Sequence, residues 1–141
     1  MNNEDVVELE LECSTICNAK CPLCYRNYKS FHSSPYAKPI NRPLGEVIEQ
    51  LDAFRNLEYV MLVGSMSEPT LYPWFMQLVG YLKERNLKIE ICTNGDTNDF
   101  AFWTSLGNIL SDDDMVYFTI CGSTQEMHET YRRGTNLDRI I

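Results

Sequence analysis

Three cysteines within eight residues, Cys17, Cys21 and Cys24, constrain this chain more than any other feature. They sit in Cys17-Asn18-Ala19-Lys20-Cys21-Pro22-Leu23-Cys24, directly after a stretch of strict alternation. Thiols packed this closely in a short loop ask for a metal ion or an inorganic cluster. The N-terminal Met1-Asn2-Asn3-Glu4-Asp5 is acidic and unlike a secretory leader, so a cytoplasmic setting is expected. In a reducing compartment clustered cysteines bind metals more often than they form disulfides. No apolar run approaches the roughly 18 residues of a membrane span, so no membrane partner is expected.

The alternation before the cysteines and the helical periods after them predict an α/β chain. Val7, Leu9, Leu11 and Cys13 fall on one side of a strand over 6–13, and Glu8, Glu10 and Glu12 on the other. The polar, proline-bearing stretch 27–42 reads as a long loop. Leu44, Val47, Ile48, Leu51 and Phe54 then recur at helical spacing, predicting a helix over 43–56. A strand over 58–63 comes next, then a helix over 73–85, a strand over 87–92, a helix over 98–110 and a strand over 115–120. Asp112-Asp113-Asp114 reads as a solvated turn. Residues 121–134 are polar, and a new helix is expected over 136–141.

Strands alternating with helices imply crossover connections and a parallel sheet. Ligands in such sheets lie beyond the carboxyl ends of the strands. Four candidate loops fall there: the cysteine loop, Gly64–Pro69, Thr93–Gly95 and Cys121–Gly122. Strands buried on both faces are continuously apolar, whereas strands one and three carry Glu8, Glu10, Glu12, Lys88 and Glu90 on one face. An open or partial barrel with a polar inner face accounts for that pattern; an edge strand facing water accounts for strand one alone. One domain over 1–141 is expected. The net charge of −8, from 20 acidic and 12 basic residues, argues against a nucleic-acid surface, which needs a basic patch.

Two kinds of centre are open to the cysteines. Zinc takes four ligands, and Cys13 is the available fourth. Its parity with Leu9 and Leu11 points it toward the helix layer instead. Three cysteines alone suit a [4Fe–4S] cluster with one iron left without a protein ligand. A plain iron–sulfur electron-transfer module and a zinc-stabilised domain are the competing readings.

The cysteine loop resembles the signature of the radical S-adenosylmethionine (SAM) enzymes in spacing, in the Asn after the first Cys and in its place after strand one. Ser67-Glu68-Pro69 is similar to that family's Gly-Gly-Glu-Pro loop, with both glycines replaced unless Gly64 serves. Thr93-Asn94-Gly95 resembles its Thr-Asn-Gly after strand three. Thr119-Ile120-Cys121-Gly122 resembles a Ser-x-Asp-Gly strand end found in peptide- and carbohydrate-modifying members, with Thr119 in the serine position and Cys121 replacing the acid. His128 and Arg132 stand where such members carry His-Asp and Arg-Gly.

The resemblance implies an open (β/α)6 partial barrel of which strands one to four are visible. The rest is expected to lie in a longer protein or in a missing C-terminal half. It implies an oxidoreductase-like enzyme in which Cys17, Cys21 and Cys24 hold a [4Fe–4S] cluster whose open iron binds SAM. Ser67, Glu68, Pro69, Thr93, Asn94, Thr119 and Arg132 would contact SAM, with Arg132 paired to its carboxylate. One electron from a reductant such as flavodoxin or ferredoxin would release a 5′-deoxyadenosyl radical that takes hydrogen from a peptide, sugar or small-molecule substrate. Catalytic residues acting on the substrate are not readable. His128 is expected as a surface or helix-capping residue, and Cys121 either as a buried thiol or as a group facing the substrate.

Overall fold

The computed structural model describes residues 3–28, 32–34 and 37–141. Part of the stretch expected as a long loop, 29–31 and 35–36, lies outside the described residues. The chain runs β1 (Glu8–Leu11), α1 (Leu44–Asp52), β2 (Tyr59–Leu62), α2 (Phe75–Glu84), β3 (Lys88–Thr93), α3 (Phe100–Ile109), β4 (Met115–Phe118) and α4 (Gln125–Tyr131). The four strands form one sheet in the order β1-β2-β3-β4, and every neighbouring pair is parallel. This is the α/β fold with a parallel sheet that the alternation of strands and helices predicts.

Register explains the alternation. Leu11, Leu62, Ile91 and Val116 lie side by side across the sheet. They face the helices, where Val47, Leu51, Leu78, Val79, Leu82 and Leu106 complete the core. The row Glu10, Met61, Glu90 and Met115 lies on the opposite face. Helices therefore cover one face and leave the other polar, with Tyr59 donating to Glu90 across it. Among the described residues no helix is long and apolar enough to cross a membrane.

β1, β2 and β4 are shorter than the sequence pattern suggests, whereas β3 keeps its expected six residues, shifted by one. The 6–13 stretch is a strand only over Glu8–Leu11, because residues 13–15 turn away to meet the returning loop. There Arg42 N donates to Cys13 O at 2.9 Å and Thr15 N to Ile40 O at 2.9 Å. Two further expectations are corrected. The polar segment 121–134 contains α4, and only a short 3-10 turn, Leu137–Arg139, occupies the place of the expected last helix. α4 carries no signal in the sequence because His128 is its single buried residue, so it has no apolar stripe. Its start is marked by Thr124, whose hydroxyl accepts from Met127 N.

The second correction concerns Asp114, expected in a solvated turn. Its side chain is fully buried and pairs with Lys83 Nζ at 2.6 Å. It also accepts from Ile89 N at 2.7 Å and from Ser111 N at 2.7 Å, locking the entry to β4 against the start of β3. Burial pushes the Asp114 carboxyl up, but hydrogen bonds from Lys83, Ser111 and Ile89 outweigh it and hold the group below the ordinary carboxylate value. A depressed native value contributes stability above the unfolded value and loses it as the pH falls through the native one. Asp114→Asn is thus expected to cost about 2 kcal/mol at pH 7, the scale of hydrogen bonds to a charged group. The gap from wild type should close below about pH 4. Urea unfolding of both proteins from pH 7 to pH 3 measures this, and a gap that stays constant would refute it.

Candidate functional site at the strand ends

Beyond the carboxyl ends of the strands lies a cavity of about 630 Å³. Cys17, Cys21 and Cys24 line it together with Ser67, Glu68, Thr93, Asn94, Thr119 and Arg132. Pro69 does not reach it. Pro69 opens the 3-10 turn Pro69–Leu71 and lines a small apolar space against Leu11 and Tyr72 instead. Loops far apart in the sequence thus meet on one rim because the strands are parallel and their carboxyl ends coincide.

Glu68 holds two of these loops together. Its carboxylate is 2% exposed. Oε1 accepts from Thr70 N at 3.2 Å, Thr70 Oγ1 at 2.8 Å and Thr93 Oγ1 at 2.5 Å. Oε2 accepts from Asn94 N at 2.8 Å. The carboxylate therefore ties the loop after β2 to the loop after β3. Gly64 permits the same loop to double back: a Cβ there would sit 1.8 Å from the Ser67 carbonyl oxygen. Glu12 closes the other side, accepting from Met66 N at 2.7 Å and Ser67 Oγ at 3.0 Å.

The cysteine loop is anchored from three directions. Asn94 Nδ2 donates to Asn18 Oδ1 at 2.8 Å, and Asn18 Nδ2 donates to Asp96 Oδ2 at 3.3 Å. Glu68 N donates to Ile16 O at 2.8 Å, and Lys20 N to Arg133 O at 2.8 Å. Arg26 and Asn27, just beyond Cys24, donate back to the carbonyls of Cys17 and Cys21. Asn18, Asp96 and Glu12 are site-building residues that spacing and composition do not single out. The Asn directly after the first Cys is the one available signal.

At the last strand end, Thr119 donates from both N and Oγ1 to Thr93 O, at 2.9 and 3.0 Å. Its hydroxyl proton is thereby used, leaving the oxygen as an acceptor on the cavity wall. Arg132 Nε donates to Cys121 Sγ at 3.3 Å, and Arg132 NH1 reaches Cys21 Sγ at 3.9 Å. His128 is fully buried rather than on the surface. Cys121 and Cys92 also line the cavity, so Cys13 alone among the six cysteines stands apart. Cys13 is packed in the helix-side core, where burial above all pushes its thiol up to about 11. It is badly placed and badly disposed to ionise as a fourth ligand.

The chemistry of the cavity fits an anionic, sulfur-ligated group. The three loop thiols and two more, Cys92 and Cys121, line it, and two guanidinium groups, Arg26 and Arg132, stand beside them. Arg26 Nε is buried and has no hydrogen-bond partner. Among the described residues no three His, Cys, Asp or Glu side chains converge on a point that a single ion could fill. A cluster spreads its thiolates over separate irons. Burial, more than any neighbouring charge, raises the Cys17 thiol above its ordinary value, so ionisation there favours a compensating cation.

A helix-backed parallel sheet with a cysteine loop at its first strand end defines an α/β protein with a candidate sulfur-ligated centre. The chain belongs to the radical SAM superfamily, whose profile matches residues 11–141. It is 25% identical over 112 residues to the "Tungsten-containing aldehyde ferredoxin oxidoreductase cofactor-modifying protein" of Pyrococcus furiosus, an alignment covering 79% of this chain and 30% of that protein. It superposes on a solved structure described as "TYW1 with a lysine-pyruvate adduct bound" with a TM-score of 0.56 and 14% identity. That match covers 92% of this chain and 44% of the other, and at such identity it establishes the shared fold. The chain therefore spans less than half the length of either.

Proposed function

We propose that this chain is the cofactor-binding part of a radical SAM enzyme, in which Cys17, Cys21 and Cys24 hold a [4Fe–4S] cluster and the adjoining cavity takes S-adenosylmethionine. The observation that carries the reading is the meeting of these three thiols with Ser67, Glu68, Thr93, Asn94, Thr119 and Arg132 around one cavity. When bound, the cluster supplies one electron for reductive cleavage of SAM to a radical that removes hydrogen from a substrate.

The chain's own residues then divide by task. Glu68 and Asn94 spend their side-chain bonds inside the protein and hold the rim in place. Recognition of the SAM amino group is left to backbone carbonyl groups of the loop over 64–67, which lines the cavity. Thr119 offers an acceptor oxygen, and Arg132 a planar donor suited to a carboxylate. A one-electron reductant of the flavodoxin or ferredoxin type is the expected partner. The substrate is a peptide, sugar or small molecule.

Anaerobic reconstitution with iron and sulfide, followed by dithionite reduction, tests the proposal. The EPR spectrum of the reduced cluster is expected to change when SAM is added. A reduced cluster indifferent to SAM would point to a plain electron-transfer module and sink the proposal.

A further inference from the structure

His128 is the largest buried polar group that the proposed function leaves unused. Its ring nitrogens have distinct partners: Cys121 N donates to Nδ1 at 3.3 Å, and Nε2 lies 2.8 Å from Thr135 Oγ1. Because Nδ1 accepts, Nε2 must carry the proton and donate to Thr135. Thr135 Oγ1 passes its own proton onward to Arg132 O at 2.6 Å. The imidazole thus ties the backbone on either side of α4, at Cys121 three residues beyond β4 and, through Thr135, at Arg132 directly after α4. The packing around it is close. A Cβ at Gly122 would lie 2.5 Å from His128 N and 2.6 Å from Met127 Cβ.

Between those two fixed points stands the Arg132 side chain. Its Nε is held by the Cys121 sulfur and its NH1 is aimed at the sulfur of Cys21. Hydrogen bonds and positive charge at a cluster's ligating sulfurs favour its reduced, more negative state. Resting on the cluster reading, we propose that Arg132 is a positioning residue. Aimed by Cys121 and the buried His128–Thr135 pair, it donates to the Cys21 sulfur and raises the reduction potential of the cluster. This role is separate from any contact of Arg132 with SAM and operates in its absence.

The test is a redox titration of the reconstituted, SAM-free protein, followed by EPR, with iron content measured for every variant. Arg132→Met should leave iron content unchanged and disfavour reduction about tenfold, which is about 59 mV for a one-electron couple. His128→Phe should shift the potential in the same direction. The double variant should shift it little further than Arg132→Met alone, because both act through one hydrogen bond. His128→Asn, which keeps an acceptor for Cys121 N, should recover part of the shift and guards against a folding defect in the Phe variant. Equal potentials in wild type and Arg132→Met, with clusters loaded in both, would overturn the proposal while leaving the cluster reading intact. A wild-type chain that loads no cluster would overturn both.

Discussion

Cys17→Ala is expected to abolish the cluster: iron and sulfide after anaerobic reconstitution should fall to background, and the visible absorption of the iron–sulfur chromophore should vanish. Only two of the three loop thiolates would then remain to hold the irons, and the other thiols are already engaged or elsewhere: Cys92 Sγ donates to Glu90 at 3.8 Å. Cys13 belongs to the helix-side core with Leu11 and Tyr72. Cys121 Sγ is engaged by Arg132. The matched control is Cys13→Ala, which should retain a full complement of iron. It should lose only about 1 kcal/mol of stability, the order expected for removing a small buried group. Iron retained by Cys17→Ala, or lost with Cys13→Ala, would move the ligand set away from the loop.

Glu68→Ala is expected to be the most destabilising change at the rim. It removes the acceptor for Thr70 N, Thr70 Oγ1, Thr93 Oγ1 and Asn94 N at once. Buried donors left without partners cost about 1–3 kcal/mol each, although the rim can relax to recover some of them. A net loss of about 4 kcal/mol results, which for a chain of this size lowers the melting temperature by on the order of 10 °C. Glu68→Gln keeps one carbonyl oxygen but turns an amino group toward a donor, so it should fall between wild type and Ala. Thermal unfolding of the metal-free protein measures the effect without any cofactor. A shift of under 2 °C (about 0.5 kcal/mol) for Glu68→Ala would show that the carboxylate does not hold the two loops.

The contrast between Glu68 and Cys17 explains why some of the site was legible and some was not. Cysteine spacing is local, and a loop of eight residues brings its thiols together whatever surrounds it. Glu68 stood out through its neighbours Ser67 and Pro69, but its partners Thr93 and Asn94 lie 25 and 26 residues away in sequence. The motif marked it as a SAM contact; the packed loops make it the tie between them. Pro69 likewise belongs to the motif, and the 3-10 turn carries it out of the cavity.

Helices and strands were legible where burial is one-sided. Val47 and Leu51 in α1, or Ile89 and Ile91 in β3, repeat with the period of their element because one face meets the core. α4 has only His128 buried and no such rhythm, so it was invisible. Asp114 looked like its exposed neighbours Asp112 and Asp113. Its burial depends on Lys83, thirty-one residues earlier, and on an amide at the start of β3.

The sequence by itself determined the parallel α/β order, the face of each strand that meets the helices, and the loop whose three thiols invite a cluster. These arise from periodicity and spacing, which act over a few residues. Only the tertiary structure decided that Glu68 and Asn94 spend their hydrogen bonds within the protein, that Cys92 joins the cavity, and that a buried imidazole aims Arg132 at Cys21. Those outcomes depend on which strand ends lie side by side, and hydrogen bonds between distant loops leave no period in the chain to read.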